Sequence, residues 1–259
     1  MRRWALLALL AGTAAADTEL LPDATLHLEG AHYAPADEDF TWTGWIGGGV
    51  GIVRFGRTTL DASADLDTII GTERRPFDPN QVAYHLEVGA RISAGRFTLN
   101  PVFHHVSRHA IDAPHLEALA WNVLGVRVSS SLPHVGPVTG DYQLSVGHTT
   151  QDAGTGYGWE FTAALDASLH RWSGGEVYFA ALLRGVTAEP TEVYDRGSFA
   201  DFAAESGARF ARHGRRIDLF VQYEHRNDVA LRGAGARDWA LFGLRFGAGA
   251  RSFPTLTPR

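Results

Sequence analysis

Apolar and polar residues alternate with a period of two along much of this chain. Between residues 82 and 92 the even positions are apolar, whereas Glu87 and Arg91 are among the odd ones. Such alternation gives a β-strand one apolar and one polar face. The same pattern at residues 157–170 and 217–223 predicts a protein built from strands.

The predicted strands are long. Weaker alternation covers residues 57–66, 142–148, 177–187, 199–210 and 239–246. Counting from Thr43 gives eleven strands, and an initial strand across Ala24 to Tyr33 makes twelve. Their lengths match the roughly 9 to 11 residues that a tilted strand needs to cross a bilayer.

The predicted connections alternate between short and long. The short ones are at Gly56, Ala94-Gly95 and 212–214, and the long polar ones are at 67–80, 109–116, 150–156, 188–197 and 227–236. Outer-membrane barrels have short periplasmic turns and longer outer loops. We therefore predict an all-β fold, a transmembrane antiparallel up-and-down β-barrel of about twelve strands.

A periplasmic β-sandwich would show the same alternation and is the alternative fold. Aromatic residues near the strand ends and charges of both signs on the opposite faces favour the barrel, whose lumen is lined by polar side chains. We expect these lumen charges to pair across a narrow interior.

The beginning of the chain has the pattern of a secretory signal peptide. Two arginines precede an apolar run and then small residues up to Ala16. We expect residues 1–16 to be removed and residues 17–259 to form one barrel domain in the outer membrane of a Gram-negative bacterium. Its expected partners are membrane lipids, lipopolysaccharide and the barrel-assembly machinery.

Composition excludes some other functions. The chain has 23 basic and 29 acidic residues with no basic block, so nucleic acid is not an expected partner. It has no cysteine, which excludes disulfides and thiolate metal sites.

One stretch suggests chemistry. If Ala94-Gly95 is a two-residue turn, Tyr84 lies opposite His105 and Val82 lies opposite Ser107. Cross-strand partners share a face, which predicts that His105 and Ser107 face lipid near the outer leaflet. A histidine two positions from a serine could take its hydroxyl proton, as an activated nucleophile requires.

Asn122 on the next strand completes the constellation. It lies on the more apolar face of that strand and, if the connecting loop centres near residue 113.5, directly opposite His105. An amide facing hydrocarbon needs a hydrogen-bond partner. We predict a Ser107–His105–Asn122 triad on the barrel exterior.

The segment HHVSRHAIDAPHLEALAWN resembles the outer-membrane phospholipase A pattern, in which H-x-S is followed, after an outer loop, by W-N. The resemblance implies a twelve-stranded barrel that hydrolyses phospholipid acyl esters, uses calcium and is active as a homodimer. It implies Ser107 as nucleophile, His105 as base and Asn122 as the residue that orients the base. Lipid A deacylases space histidine and serine in the same way, so lipid A is an alternative substrate.

The sequence departs from the phospholipase pattern after the serine, where Arg108 and His109 replace asparagine and glycine. Arg108, Asp112 and Glu117 are candidates for an oxyanion or cation site in the loop.

Other interpretations remain open. His105 and Ser107 could be rim residues that contact lipopolysaccharide, and Asn122 could serve local hydrogen bonding. The histidines at 104, 105, 109 and 115 could bind a divalent metal. The protein could also be a non-enzymatic barrel, acting as a narrow channel or a structural surface protein.

Overall fold

The structure is a computed structural model that describes residues 17–111, 118–133, 136–192, 195, 197–227 and 235–249. The predicted signal peptide, residues 1–16, lies outside them. The strands are β1 (Thr18–Leu20), β2 (Ala24–Ala34), β3 (Trp42–Phe55), β4 (Thr58–Gly71), β5 (Asp78–Ala94), β6 (Phe97–Ala110), β7 (Leu119–Ser131), β8 (Thr139–Ala153), β9 (Tyr157–Trp172), β10 (Gly175–Ala188), β11 (Phe199–Arg212), β12 (Arg215–Arg226) and β13 (Arg237–Gly249). In these ranges no helix is long and apolar enough to span a membrane.

The twelve strands β2 to β13 close into a barrel. Each pairs antiparallel with its neighbours in sequence, and β13 pairs with β2, placing Leu244 opposite Gly30. The short strand β1 only extends the sheet beside the end of β3. The predicted up-and-down barrel is confirmed, and the sandwich alternative is wrong.

The alternation of side chains matches the two faces of this wall. On β5, Tyr84, Leu86 and Val88 are 43 to 56% exposed, whereas Ala83 and His85 are 2% and 6% exposed. Outward aromatic residues gather near both ends of the strands. Those near the loop end include Trp42, Trp159, Phe202 and Tyr223, and those near the turn end include Phe55, Trp172 and Phe210. Two aromatic girdles around an apolar band are typical of outer-membrane barrels.

Several strands extend further than predicted. β4 continues to Gly71 and β5 begins at Asp78, so the connection predicted at residues 67–80 is shorter. The cause is pairing, because polar residues such as Asp67 and Gln81 face the lumen and remain in the ladder.

The predicted register between β5 and β6 is wrong by two residues. The turn is formed by Gly95 and Arg96, so Tyr84 lies opposite Ser107 and Leu86 lies opposite His105. Gly95 has a φ of 64°, which glycine adopts without steric cost at the first position of a hairpin turn. A shift of two preserves the faces, and His105 and Ser107 still point outward.

Charged side chains in the lumen pair as predicted, between adjacent strands or strands separated by one other strand. Arg245 contacts Glu29 and Glu205 at 2.7 and 2.9 Å. Further pairs include Arg91–Asp61, Arg127–Glu87, Arg184–Glu160 and Arg209–Asp166. A buried apolar cluster also extends from Ile69 on β4 to Leu182 on β10, six strands away, and so crosses the lumen.

Candidate functional site on the outer wall

The candidate site lies near the loop end of β6 and β7. His105 and Asn122 are directly opposite each other, as predicted from the loop centre. Both are half-buried, and Phe103 and Leu124, two residues nearer the turn end, are exposed and apolar. The polar residues therefore begin where the apolar band of the wall ends.

His105 and Asn122 are joined by a short hydrogen bond. His105 Nδ1 lies 2.6 Å from Asn122 Oδ1. Because an amide oxygen only accepts hydrogen bonds, Nδ1 carries the proton and Nε2 keeps its lone pair in the neutral imidazole. The pair therefore presents a histidine in the tautomer that a general base needs.

Asn122 is itself held by a residue that the sequence analysis missed. Its Nδ2 donates to Gln151 Oε1 on β8 at 2.8 Å. A β-bulge makes this contact: Asn122 pairs with Gln151 and Val123 pairs with Thr149, so Thr150 is an extra residue in β8. Bulges often re-aim side chains beside functional sites.

Ser107 forms its hydrogen bond with a different histidine from the one predicted. Its Oγ lies 2.7 Å from His109 Nε2. In the part of the chain that the structure describes, no hydrogen bond joins Ser107 to His105. Positions 105, 107 and 109 share one face, so Ser107 has an imidazole on either side along the strand. The equal spacing of the two histidines in the sequence was the signal that could have identified His109.

The backbone beneath the site is fixed by packing in the lumen. Val106, between His105 and Ser107, is 2% exposed and belongs to a buried cluster with Trp121 and Tyr157. Arg108 is also buried, with its guanidinium 5.1 Å from the Trp121 ring centre. Arg108 therefore faces away from Ser107, which excludes it from an oxyanion site there.

The side chains that usually bind metals are not clustered in the described ranges. No group of three or more histidine, cysteine or acidic residues among them could hold an ion. His104 points into the lumen toward His85, at 3.4 Å between ring nitrogens, whereas His105 and His109 face outward. His115, Asp112 and Glu117 lie outside the described residues.

A second outward histidine with a hydrogen-bond partner on the next strand lies on the opposite side of the barrel. His225 Nδ1 is 2.9 Å from Asp238 Oδ1, across β12 and β13 and also near the loop end. Tyr223 donates its hydroxyl to the same carboxylate oxygen at 2.6 Å. This pair has no serine beside it at the spacing found on β6, which makes it a natural control for the candidate site.

The closed barrel, its outward apolar band and its girdles define a bacterial outer-membrane β-barrel protein that contacts membrane lipids. Similar solved structures include outer membrane phospholipase A from Escherichia coli, at 12% identity and a TM-score of 0.52, covering 92% of this chain and 96% of that one. The NanC porin matches at 7% identity and 0.51, covering 86% and 98%. LpxR from Salmonella typhimurium matches at 10% and 0.49, covering 86% and 99%.

At these identities the comparisons show the fold alone. A phospholipase and a porin match almost equally well, so the fold does not choose between an enzyme and a channel. No protein-family model and no curated protein match the sequence. The side chains on the wall therefore distinguish the possible functions better than the fold does.

Proposed function

We propose that the protein hydrolyses acyl esters of outer-leaflet lipids, either phospholipid or lipid A. Ser107 is the nucleophile, His105 is the general base and Asn122 orients that base. The observation that carries this proposal is the 2.6 Å hydrogen bond between His105 Nδ1 and Asn122 Oδ1 beside Ser107 on the outer wall.

The position of the site favours a lipid substrate. Tyr84 and Leu86 lie opposite Ser107 and His105, and both are exposed on the outer wall. Acyl chains lying against this apolar surface would have their ester groups near the boundary with the headgroups, where the polar site begins. A water-soluble substrate would gain no binding energy from this apolar surface.

One movement is needed for His105 to exchange a proton with Ser107. Ser107 Oγ bonds to His109, and rotation about χ1 between staggered positions redirects the hydroxyl along the strand toward His105. Asn122 limits rotation of the His105 imidazole. Rotation would break the hydrogen bond to Asn122 Oδ1, and leaving a polar group unpaired beside hydrocarbon costs about 2 kcal/mol or more. The base is thus held while the nucleophile turns.

Hydrolysis by purified variants tests the proposal. We expect Ser107→Ala and His105→Ala to lower fatty-acid release from phospholipid or lipopolysaccharide in detergent by at least about 10²-fold. The controls are Ser131→Ala, whose hydroxyl bonds to Asp141 at the turn end of β7, and His225→Ala on the opposite wall. Both controls should keep the wild-type rate. Wild-type hydrolysis by Ser107→Ala, with heat-modifiable migration retained, would contradict the proposal.

Calcium dependence and dimer formation are proposals that rest on the sequence resemblance alone. The carboxylate of Asp152, on β8 beside Gln151, accepts hydrogen bonds from Thr155 and Gly156. This carboxylate belongs to no group of three or more histidine, cysteine or acidic residues that could hold an ion in the described ranges, and the proposed steps do not use calcium. Repeating the assay with a chelator, and measuring the mass of the protein in detergent, tests both.

A cavity inside the barrel favours a second candidate function, a narrow channel. The cavity has a volume of about 140 Å³ and is lined by Trp45, Glu87, His104 and Arg127 among others. The apolar cluster between Ile69 and Leu182 crosses the lumen and opposes free passage. Conductance in planar bilayers, with no fatty-acid release by the wild-type protein, would establish the channel instead.

A further inference from the structure

We propose that His109 is a catalytic residue of the same site, and that its Nε2 takes the Ser107 proton when the serine attacks the acyl carbonyl. The inference depends on the proposed function, because it needs Ser107 to act as a nucleophile. It adds a residue that the Ser107–His105–Asn122 constellation does not contain. It assigns the deprotonation of Ser107 to His109, and His105 remains the general base for the water that hydrolyses the acyl-enzyme.

The distances support a direct proton transfer to His109. Ser107 Oγ lies 2.7 Å from His109 Nε2, within the 2.6 to 3.2 Å range in which a general base can act. The neutral imidazole of His109 accepts this hydrogen bond through the Nε2 lone pair when Nδ1 carries the proton. Of the two imidazoles that flank the serine, His109 is the one already in contact with it.

The ring of His109 packs against the wall. It meets the ring of Tyr84 edge to face, with 5.7 Å between centroids and an interplanar angle of 76°. Tyr84 lies opposite Ser107, and Val82 lies opposite His109. An imidazole that is half-buried against neighbouring side chains has few rotamers open to it, which favours a defined role over that of a solvated rim residue.

The proton balance of the reaction accommodates both histidines. As Ser107 Oγ bonds to the acyl carbon, its proton moves to His109 Nε2. When the bond between that carbon and the lipid alcohol oxygen breaks, the alcohol oxygen takes the proton from His109. A water molecule then attacks the acyl carbon, and His105 Nε2 takes its proton. The fatty acid leaves, and that proton returns to Ser107 Oγ.

Two substitutions at His109 separate proton transfer from positioning. His109→Ala removes the ring, whereas His109→Gln keeps an oxygen that can accept the Ser107 hydrogen bond but cannot carry a proton at neutral pH. The measurements are kcat and KM for a chromogenic short-chain ester, and the rate at which an alkyl fluorophosphonate labels Ser107. The matched control is His225→Ala.

We expect both His109 variants to lower kcat and the labelling rate by about 10²-fold, with KM within about twofold of wild type. Wild-type rates in both variants, or recovery of the rate in His109→Gln alone, would overturn the inference, and the second result would make His109 a positioning residue. Either result leaves the proposed function standing if Ser107→Ala is inactive. Wild-type hydrolysis by Ser107→Ala would remove both.

Discussion

Polar side chains in the lumen and on the outer wall are satisfied in different ways. In the lumen, Arg245 contacts three carboxylates, those of Glu29, Glu205 and Asp218, and lies 4.7 Å above the Phe220 ring. At the candidate site on the wall, the groups in contact are imidazole, amide and hydroxyl. A charge facing hydrocarbon costs several kcal/mol more than a neutral group at the bilayer midplane and much less near the interface. Groups that can be neutral are therefore favoured beside the apolar band, and the carboxylate of Asp238 on the opposite wall lies near the loop end.

We expect the lumen pairs to determine the stability of the barrel and the wall constellation to determine its activity. The lumen pairs connect adjacent strands and strands separated by one other strand around the barrel, so their loss should weaken the fold and leave the wall chemistry intact. The wall constellation connects only β6, β7 and β8, so its loss should lower activity and leave the barrel folded.

Removing the central lumen arginine is expected to have the largest effect. Arg245→Met leaves Glu29, Glu205 and Asp218 without their shared cation, and breaking a buried ion pair from one side costs about 3 to 5 kcal/mol. Unfolding in urea, followed by heat-modifiable migration, measures the change. Arg171→Met is the matched control, because Arg171 is largely exposed and its pair with Glu176 contributes less than about 1 kcal/mol. Equal transitions for the two variants would show that the lumen network does not stabilise the barrel.

Asn122→Leu should lower activity and leave stability nearly unchanged, the reverse of Arg245→Met. The substitution removes the acceptor of His105 Nδ1 and frees the ring, and we expect hydrolysis to fall by about tenfold to a hundredfold. The unfolding transition should change by about 1 kcal/mol or less, since an apolar side chain facing lipid replaces a hydrogen-bonded amide. Asp238→Leu, which removes the acceptor of His225 on the far wall, is the control and should leave hydrolysis unchanged. Full activity in Asn122→Leu would mean that His105 needs no orienting residue.

Periodicity in the sequence predicts which face each residue occupies, and less about its partners. The outward orientation of His105 and Ser107 was predicted correctly although the turn lies one residue further along the chain than predicted. The register changed by two residues, and a shift of two leaves each side chain on the same face. The position of Asn122 opposite His105 was predicted correctly. The register of β6 and β7 depends on a single quantity, the position at which the loop between them is centred.

The contacts that period two did not reveal depend on rotamers and on a bulge. Ser107 has a histidine two residues away on either side, and only its χ1 selects His109. Gln151 reaches Asn122 because Thr150 is an extra residue in β8, and nothing in the alternation of that strand marks the insertion. Lumen partners such as Asp166 and Arg209 lie on strands that are not adjacent, and their contact follows from the curvature of the barrel.

Gln151→Leu gives the smallest expected effect and the sharpest test of how the wall site is held. The substitution removes the acceptor of Asn122 Nδ2 and leaves the bond between Asn122 Oδ1 and His105 in place. Because the amide can then rotate, we expect a few-fold loss of hydrolysis, on the order of the 0.5 to 1.5 kcal/mol that one hydrogen bond contributes. If Gln151 acts only through Asn122, Gln151→Leu should have no further effect in the Asn122→Leu background. Additive losses in the double variant would show that Gln151 acts on the site by a separate route.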